Sequence, residues 1–235
     1  MSVAPQFWVV VPAAGSARRM GTAIPKQYLP LLGRTVLEHS LQPFLARAEC
    51  QGIIVVLAAN DLRWPELACA RDSRIATVVG GNERADSVRA GLAALESTVQ
   101  ASDWILVHDA ARPCLARQEL DSLLLELAAD EVGGLLAAPV VDTLKRGDAS
   151  GRVCETVDRS SLWHALTPQM FRFGTLARAL AAGKAGGAAS TDEAQAVEAL
   201  GLKPKLVAGS ADNLKITMPT DLSRAERILA ARGVS

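Results

Sequence analysis

The chain has 235 residues, 49% of them hydrophobic, and its 25 basic and 25 acidic side chains balance to a formal net charge of zero. This length suits one large α/β domain or one domain with a small appendage, and the apolar share can fill a substantial core. Without net charge there is no global field to gather nucleic acid or an anionic membrane, so neither is an expected partner, and a phosphate site would need only a local cluster of cations.

The first apolar run, 7–11, is rich in β-forming residues and ends in Pro and Gly. No Lys or Arg precedes it in 1–6, and the apolar stretch 7–14 is too short to span a bilayer, so it reads as a strand and not as a signal peptide. Four further short apolar runs follow at 53–58, 75–79, 104–108 and 135–141, each suited to a strand buried on both faces. Between them lie helical patterns. Thr35 followed by Glu38 forms a capping box that opens a helix to about residue 46. The stretch 84–95 puts Val88, Leu92 and Leu95 on one face, and 118–129 repeats leucine at helical spacing. Helices at 173–182, 191–200 and 220–231 complete the set. Strands alternating with helices predict βαβ units and an α/β, Rossmann-like, doubly wound, mostly parallel sheet.

The stretch 142–159 breaks this rhythm. It is polar, with Gly147 and Gly151 flanking the turn-prone Asp148-Ala149-Ser150, and it predicts a protruding β-hairpin. Such a hairpin buries little within its own subunit and is a candidate dimerisation arm, a mobile loop being the plainer reading. The Ala/Gly-rich 181–189 reads as a surface connection. With no internal repeat and no linker, the expected organisation is a single domain over 1–235 with the 142–159 arm extending from it. Cys50, Cys69, Cys114 and Cys154 form no Cys-x-x-Cys pair, which argues against a zinc site and for reduced thiols in a soluble, cytoplasmic protein.

The segment after the first strand carries the most chemistry. Pro12-Ala13-Ala14-Gly15-Ser16-Ala17-Arg18-Arg19-Met20 leads to Pro25-Lys26-Gln27. In an open α/β sheet, ligands bind beyond the carboxyl ends of strands. Small residues at 13–16 let backbone N–H groups approach a phosphate, and Arg18, Arg19 and Lys26 add three cations with no acid between them. A Walker A loop is excluded, because Met20 stands where its second Gly belongs. The Gly-x-Gly-x-x-Gly dinucleotide fingerprint fails at Ala17 and Met20, which disfavours a nicotinamide enzyme. A strand–turn with a solvated basic patch remains the plainer alternative.

These residues resemble the nucleotidyltransferase signature, and the fuller string, from Pro12 to Pro25-Lys26-Gln27-Tyr28, resembles the 2-C-methyl-D-erythritol 4-phosphate cytidylyltransferase family of the non-mevalonate isoprenoid pathway. Further blocks match in order: Gly80 to Val88, Val107 to Pro113, Ala138 to Lys145, Thr156 to Arg159, Trp163 to Gln169, Thr191 to Ala194, and Asp212 to Thr217. Two positions depart from the pattern: Ala17 replaces the loop's second glycine, and Asn82 an aspartate.

The resemblance implies a fold of the nucleotide-diphospho-sugar transferase type. It also implies transfer of CMP from CTP to 2-C-methyl-D-erythritol 4-phosphate with release of pyrophosphate, a related acceptor such as ribitol 5-phosphate being the alternative. In this reaction an acceptor phosphate oxygen attacks the α-phosphorus. The nucleophile is already an anion, so the enzyme supplies positive charge and alignment and no general base. Arg19 and Lys26 fall on the family's transition-state cations. Arg159 and Lys215 match the pair that positions the acceptor phosphate. Pro12, Ala13, Ala14 and Gly15, with Gly81, Asn82, Ser87, Asp109 and Ala110, match the nucleotide contacts. Arg112, Thr143, Thr167 and Thr191 match the other acceptor contacts. Asp109 is the expected neighbour of a magnesium ion on the phosphates. The arm is exchanged between subunits in this family, which implies a homodimer. Plainer roles are expected elsewhere: packed histidines at 39, 108 and 164, and an Arg84–Asp86 pair at a helix start. Without the resemblance, Arg159 and Lys215 read as surface charges.

Overall fold

The computed structural model describes residues 4–15, 24–185 and 190–234. Arg18, Arg19 and Ala17, together with part of the 181–189 connection, lie outside the described residues.

In chain order the elements are β1 (Phe7–Pro12), the short pair β2 (Pro30–Leu31) and β3 (Arg34–Thr35), α1 (Val36–Leu45), β4 (Cys50–Leu57), β5 (Ile75–Val79), α2 (Arg84–Leu95), β6 (Trp104–Val107), α3 (Arg117–Leu127), β7 (Gly133–Pro139), β8 (Leu144–Gly147), β9 (Val153–Val157), β10 (Trp163–Arg172), α4 (Phe173–Ala185), α5 (Glu193–Glu198), β11 (Lys205–Ala208) and α6 (Pro219–Ala231). Seven strands form one sheet in the order β11-β7-β10-β6-β1-β4-β5. All neighbours pair in parallel except β10, which runs antiparallel to both β6 and β7.

The alternation of side chains along each strand explains the two layers. Val9 and Val11 of β1 join Ile53, Val55 and Leu106 on the face that packs against Leu37 and Leu41 of α1 and Leu120 and Leu124 of α3. Val10, Ile54, Val56, Ile105 and Val107 point the other way, onto Val88 and Leu92 of α2 and Leu176 and Leu180 of α4. The apolar runs that became β1, β4, β6 and β7 are therefore strands covered on both sides. The run at 75–79 is not: β5 lies at the edge of the sheet, and its side chains are only partly covered, Val79 being 58% exposed. A third apolar patch sits outside the sheet, where α6 packs Ala225 and Leu229 against Leu31, Val36 and Ile216.

The capping box of α1 forms as expected: Glu38 N–H donates to Thr35 Oγ1 (3.3 Å), and Thr35 N–H donates to Glu38 Oε2 (2.9 Å). Besides the short β2–β3 pair, two strands of the main sheet were not expected. β10 contains Thr167-Pro168-Gln169 in place of an apolar run, and its pairing with β7 is interrupted between Ala165 and Gln169. β11 is four residues long with only Val207 buried. The helix expected over 191–200 is shorter: Asp192 accepts from Gln195 N–H (2.9 Å), so the helix proper begins at Glu193. Within the polar 142–159 stretch, β8 and β9 pair antiparallel as a separate two-stranded ribbon. Among the described residues, no helix is long and apolar enough to cross a membrane. All four cysteines are free thiols.

Candidate active site

The strand order reverses between β1 and β6, and crevices in open α/β sheets lie at such a switch. A cavity of about 240 Å³ opens there, at the carboxyl ends of β1, β5 and β6. Pro12, Ala13, Ala14 and Gly15 form one wall, Gly81, Asn82 and Ser87 a second, and Asp109 and Ala110 a third, with Lys26 and Lys215 at the rim.

Each wall has a local cause. Ala13 N–H donates to Val56 O (2.8 Å), continuing the β1–β4 ladder one residue past the strand. Gln27 then holds the bend, donating from Nε2 to the carbonyls of Ala13 (2.7 Å) and Gly15 (3.4 Å). At the second wall, Gly80 and Gly81 let the start of α2 lie against this bend. A Cβ on Gly80 would sit 2.6 Å from Ser87 Oγ and 2.8 Å from Ala14 Cβ, and one on Gly81 would press into the Asp86 side chain. The amino end of α2 thus faces the cavity, where the helix dipole favours an anion.

Asp109, two residues past the end of β6, is 7% exposed. Its Oδ1 accepts from Arg84 Nε (3.0 Å) and its Oδ2 from Lys215 Nζ (2.8 Å), with Arg112 Nε 3.5 Å away. Burial alone would raise the Asp109 pKa, but the Arg84 and Lys215 charges overcome it and hold the carboxyl well below the usual range. Arg84 reaches on to a second buried acid: its Nη1 and Nη2 donate to Glu193 Oε1 (2.6 Å) and Oε2 (3.0 Å). The expected Arg84–Asp86 pair does not form. Asp86 instead accepts from Glu83 N–H (3.2 Å) and pairs with Arg89 one turn on, while Arg84 turns inward to carboxylates that only the fold brings near.

Behind Asp109 runs a buried chain of hydrogen bonds. Asp109 N–H donates to Thr167 Oγ1 (3.1 Å), which lies 2.9 Å from His108 Nδ1, while His108 Nε2 lies 3.1 Å from Arg112 O. A hydroxyl that accepts from Asp109 donates to Nδ1, leaving the His108 proton on Nε2 to meet the Arg112 carbonyl. Burial pushes the His108 pKa down to about 4, so the ring is neutral and structural, as anticipated. His39 is likewise buried, against Leu31 O (2.8 Å), whereas His164 is exposed.

The rim cations hang from the third apolar patch. Ile216 is fully buried, and its N–H donates to Ala111 O (2.8 Å). Its carbonyl accepts from Lys26 Nζ (3.0 Å), while Lys215, its neighbour, reaches Asp109.

The remaining sequence candidates are distributed differently. Thr167 and Arg112 stand directly behind Asp109, and the Arg112 guanidinium is engaged by the carbonyls of Asn213 (2.6 Å) and Ala165 (3.5 Å). Thr143 and Arg159 lie exposed at the base of the hairpin, 3.4 Å apart, and Thr191 Oγ1 donates to Gln195 Oε1 (3.1 Å); none of these three lines the cavity. Sequence reasoning passed over Gln27, Arg84 and Glu193. Gln27 and Glu193 lay inside quoted motifs, but a buried role for either is visible only once the loop and α5 are folded against β1 and α2.

A family model described as 2-C-methyl-D-erythritol 4-phosphate cytidylyltransferase matches residues 7–231. A protein of that name from Pseudomonas aeruginosa is 58% identical over 224 residues, covering 95% of this chain and 96% of the relative. One from Pseudomonas putida is 55% identical over 223 residues, covering 94% and 95%. Among solved structures, a 4-diphosphocytidyl-2C-methyl-D-erythritol synthase superposes with a TM-score of 0.83 at 40% identity, over 97% of this chain and all of that one. The Thermus thermophilus 2-C-methyl-D-erythritol 4-phosphate cytidylyltransferase does so with 0.79 at 31% identity, over 96% and 99%. With its fold and nearly its whole length in common with these proteins, the chain belongs to the 2-C-methyl-D-erythritol 4-phosphate cytidylyltransferase family.

Proposed function

We propose that this enzyme transfers CMP from CTP to 2-C-methyl-D-erythritol 4-phosphate, releasing pyrophosphate and giving 4-diphosphocytidyl-2-C-methyl-D-erythritol. Family membership supports the reaction. The observation that carries the assignment to this site is the cavity at the switch point, where a small-residue bend, a helix amino end and the rim cations Lys26 and Lys215 converge. The bend at Ala13–Gly15 and the wall at Gly81–Ser87 hold the nucleotide. Asn82 accepts from a ribose hydroxyl without adding negative charge near the phosphates. Lys26, with Arg19, takes the triphosphate and the charge that develops on the α-phosphate oxygens and the leaving bridge oxygen. Lys215 and Arg159 align the acceptor phosphate, with Thr143 beside Arg159, while Arg112 and Thr167 support Asp109 from behind. No side chain need remove a proton, because the attacking oxygen is already an anion.

Magnesium accompanies the triphosphate in this reading. Mg²⁺ usually takes one or two protein carboxylates and draws its other ligands from substrate phosphates and water. The residues fit that pattern: no group of three or more His, Cys, Asp or Glu among the described residues is arranged as a cage, and Asp109 is the carboxylate at the phosphate end. Bound there, the ion would screen phosphate charge.

The 142–159 arm belongs to the same single domain and reaches a second copy of the chain. There it forms a homodimer and brings Thr143 and Arg159 to the partner's cavity. Pyrophosphate release with CTP, magnesium and 2-C-methyl-D-erythritol 4-phosphate tests the function, against UTP, ATP and ribitol 5-phosphate controls. Release with CTP and the erythritol acceptor alone is expected, and faster release with ribitol 5-phosphate would transfer the assignment to that acceptor.

A further inference from the structure

Beside the cavity, the ion pairs of Asp109 and Glu193 involve three cations, Arg84, Arg112 and Lys215. Glu119 and Asp192 add negative charge next to Arg112 and Glu193. These cations are held very differently. Arg112 is fixed by the backbone carbonyls of Asn213 and Ala165. Arg84 spans both acids, with Nε on Asp109 and both terminal nitrogens on Glu193, whose side chain is 1% exposed. Lys215 is the loose member: its side chain is 39% exposed, it lines the cavity, and its ammonium rides on a flexible stem 2.8 Å from Asp109. If Lys215 withdraws, Asp109 still keeps Arg84 on Oδ1 and Arg112 3.5 Å from Oδ2. If Arg84 is removed, Glu193 loses its ion pair and Asp109 loses the partner on Oδ1. A buried carboxylate stripped of its partner is strongly unfavourable, so Asp109 would then retain Lys215.

We propose that Arg84, clamped by Glu193, is a positioning residue for the transfer reaction: it holds the charge of Asp109 so that Lys215 can move its ammonium from Asp109 onto the phosphates of the bound substrates. This rests on the reading that those phosphates enter the cavity. No bond or proton is exchanged in the step; one ion pair is traded for another, and positive charge arrives where negative charge develops. The guanidinium fork suits the task because its parallel donors engage Glu193 while a third reaches Asp109, a geometry that one ammonium does not offer.

The test is a kinetic cycle on the full chain, measuring pyrophosphate release with CTP, magnesium and 2-C-methyl-D-erythritol 4-phosphate. Four proteins are compared: the native chain, Lys215→Ala, the pair Arg84→Gln with Glu193→Gln, and the triple variant. The glutamine pair removes both charges together, so Glu193 is not left as an unpaired carboxylate, and thermal melting checks its fold. Lys215→Ala is expected to lower kcat about 100-fold, as loss of one preorganised charge does. The glutamine pair is expected to lower kcat at least about tenfold with KM for CTP nearly unchanged. The triple variant should fall within about threefold of Lys215→Ala, because residues acting as one unit are not additive. Losses that multiply, a near-native kcat for the glutamine pair, or an effect confined to KM would overturn the proposal. If the glutamine pair does not melt cooperatively, the cycle is repeated with Arg84→Lys, with the same pattern expected and the same results overturning it. A native chain that releases no pyrophosphate would instead defeat the nucleotide reading itself.

Discussion

His108 is enclosed on every side, with its ring edge-on to Phe44 and both nitrogens within hydrogen-bonding distance of partners. Its pKa falls to about 4 because burial disfavours the charged ring. An unfolded chain takes up a proton on this histidine near pH 6.5, whereas the folded chain refuses it until about pH 4. The neutral ring's contribution to stability is therefore complete above pH 6.5 and is lost as the pH falls, by up to about 1.4 kcal/mol per pH unit. Denaturant titrations between pH 7 and pH 4 should show a shallower decline for His108→Gln than for the native chain; equal slopes would count against the assignment. Lys26 is a residue of another kind: its ammonium lines the cavity and donates to the Ile216 carbonyl. Lys26→Ala should fold normally and lose about 100-fold or more in kcat. A near-native turnover in the pyrophosphate assay would remove Lys26 from the chemistry.

At the scale of elements, the seat of α2 decides whether the cavity has its second wall. Gly91 faces the sheet, and a Cβ there would sit 2.5 Å from Val10 Cγ1 and 3.2 Å from Val56 Cγ2. Alanine in a helix gains about 0.5–1 kcal/mol over glycine, but overpacking a filled core costs about 1–3 kcal/mol. Val10 is β-branched and fully buried, so it has little room to yield, and the packing term wins. Gly91→Ala should lower the melting temperature by about 2–10 °C; a rise would show that α2 can shift outward. The elements that build the site are those the sequence shows best. β1, β4, β5 and β6 are continuous apolar runs, and the glycines at 80 and 81 announce a turn. β10 was hidden because Thr167, Pro168 and Gln169 interrupt it, and its polar residues are explained by tertiary partners. Gln169 Nε2 donates to Asp192 (2.9 Å) and its Oε1 accepts from Ala194 N–H (2.7 Å), neither of which any local pattern announces. The Arg84–Glu193 clamp is invisible for the same reason: 109 positions separate its ends. Motif spacing led instead to Asp86, the nearer acid.

Across the whole molecule, the β8–β9 ribbon is the least self-sufficient part. Its outer residues and the segment leading back into the sheet leave Val141, Val153 and Trp163 substantially exposed. An isolated two-stranded ribbon has marginal stability in water, and a second copy packed against it would cover these side chains. Replacing 144–157 with a short Gly/Ser turn should convert a dimer into a monomer in sedimentation velocity. CTP binding by calorimetry should persist and turnover of the acceptor should collapse. A native chain that sediments as a monomer, or a shortened one that turns over normally, would rule the arm out of the site.

Ile216 joins the periphery to the chemistry. Its side chain belongs to the patch under α6, its carbonyl accepts from Lys26, and the next residue back along the chain is Lys215. The two cations consequently share a mooring outside the sheet. Repacking beneath the last helix would shift both lysines together, so the charge at the cavity mouth can be retuned from outside the sheet.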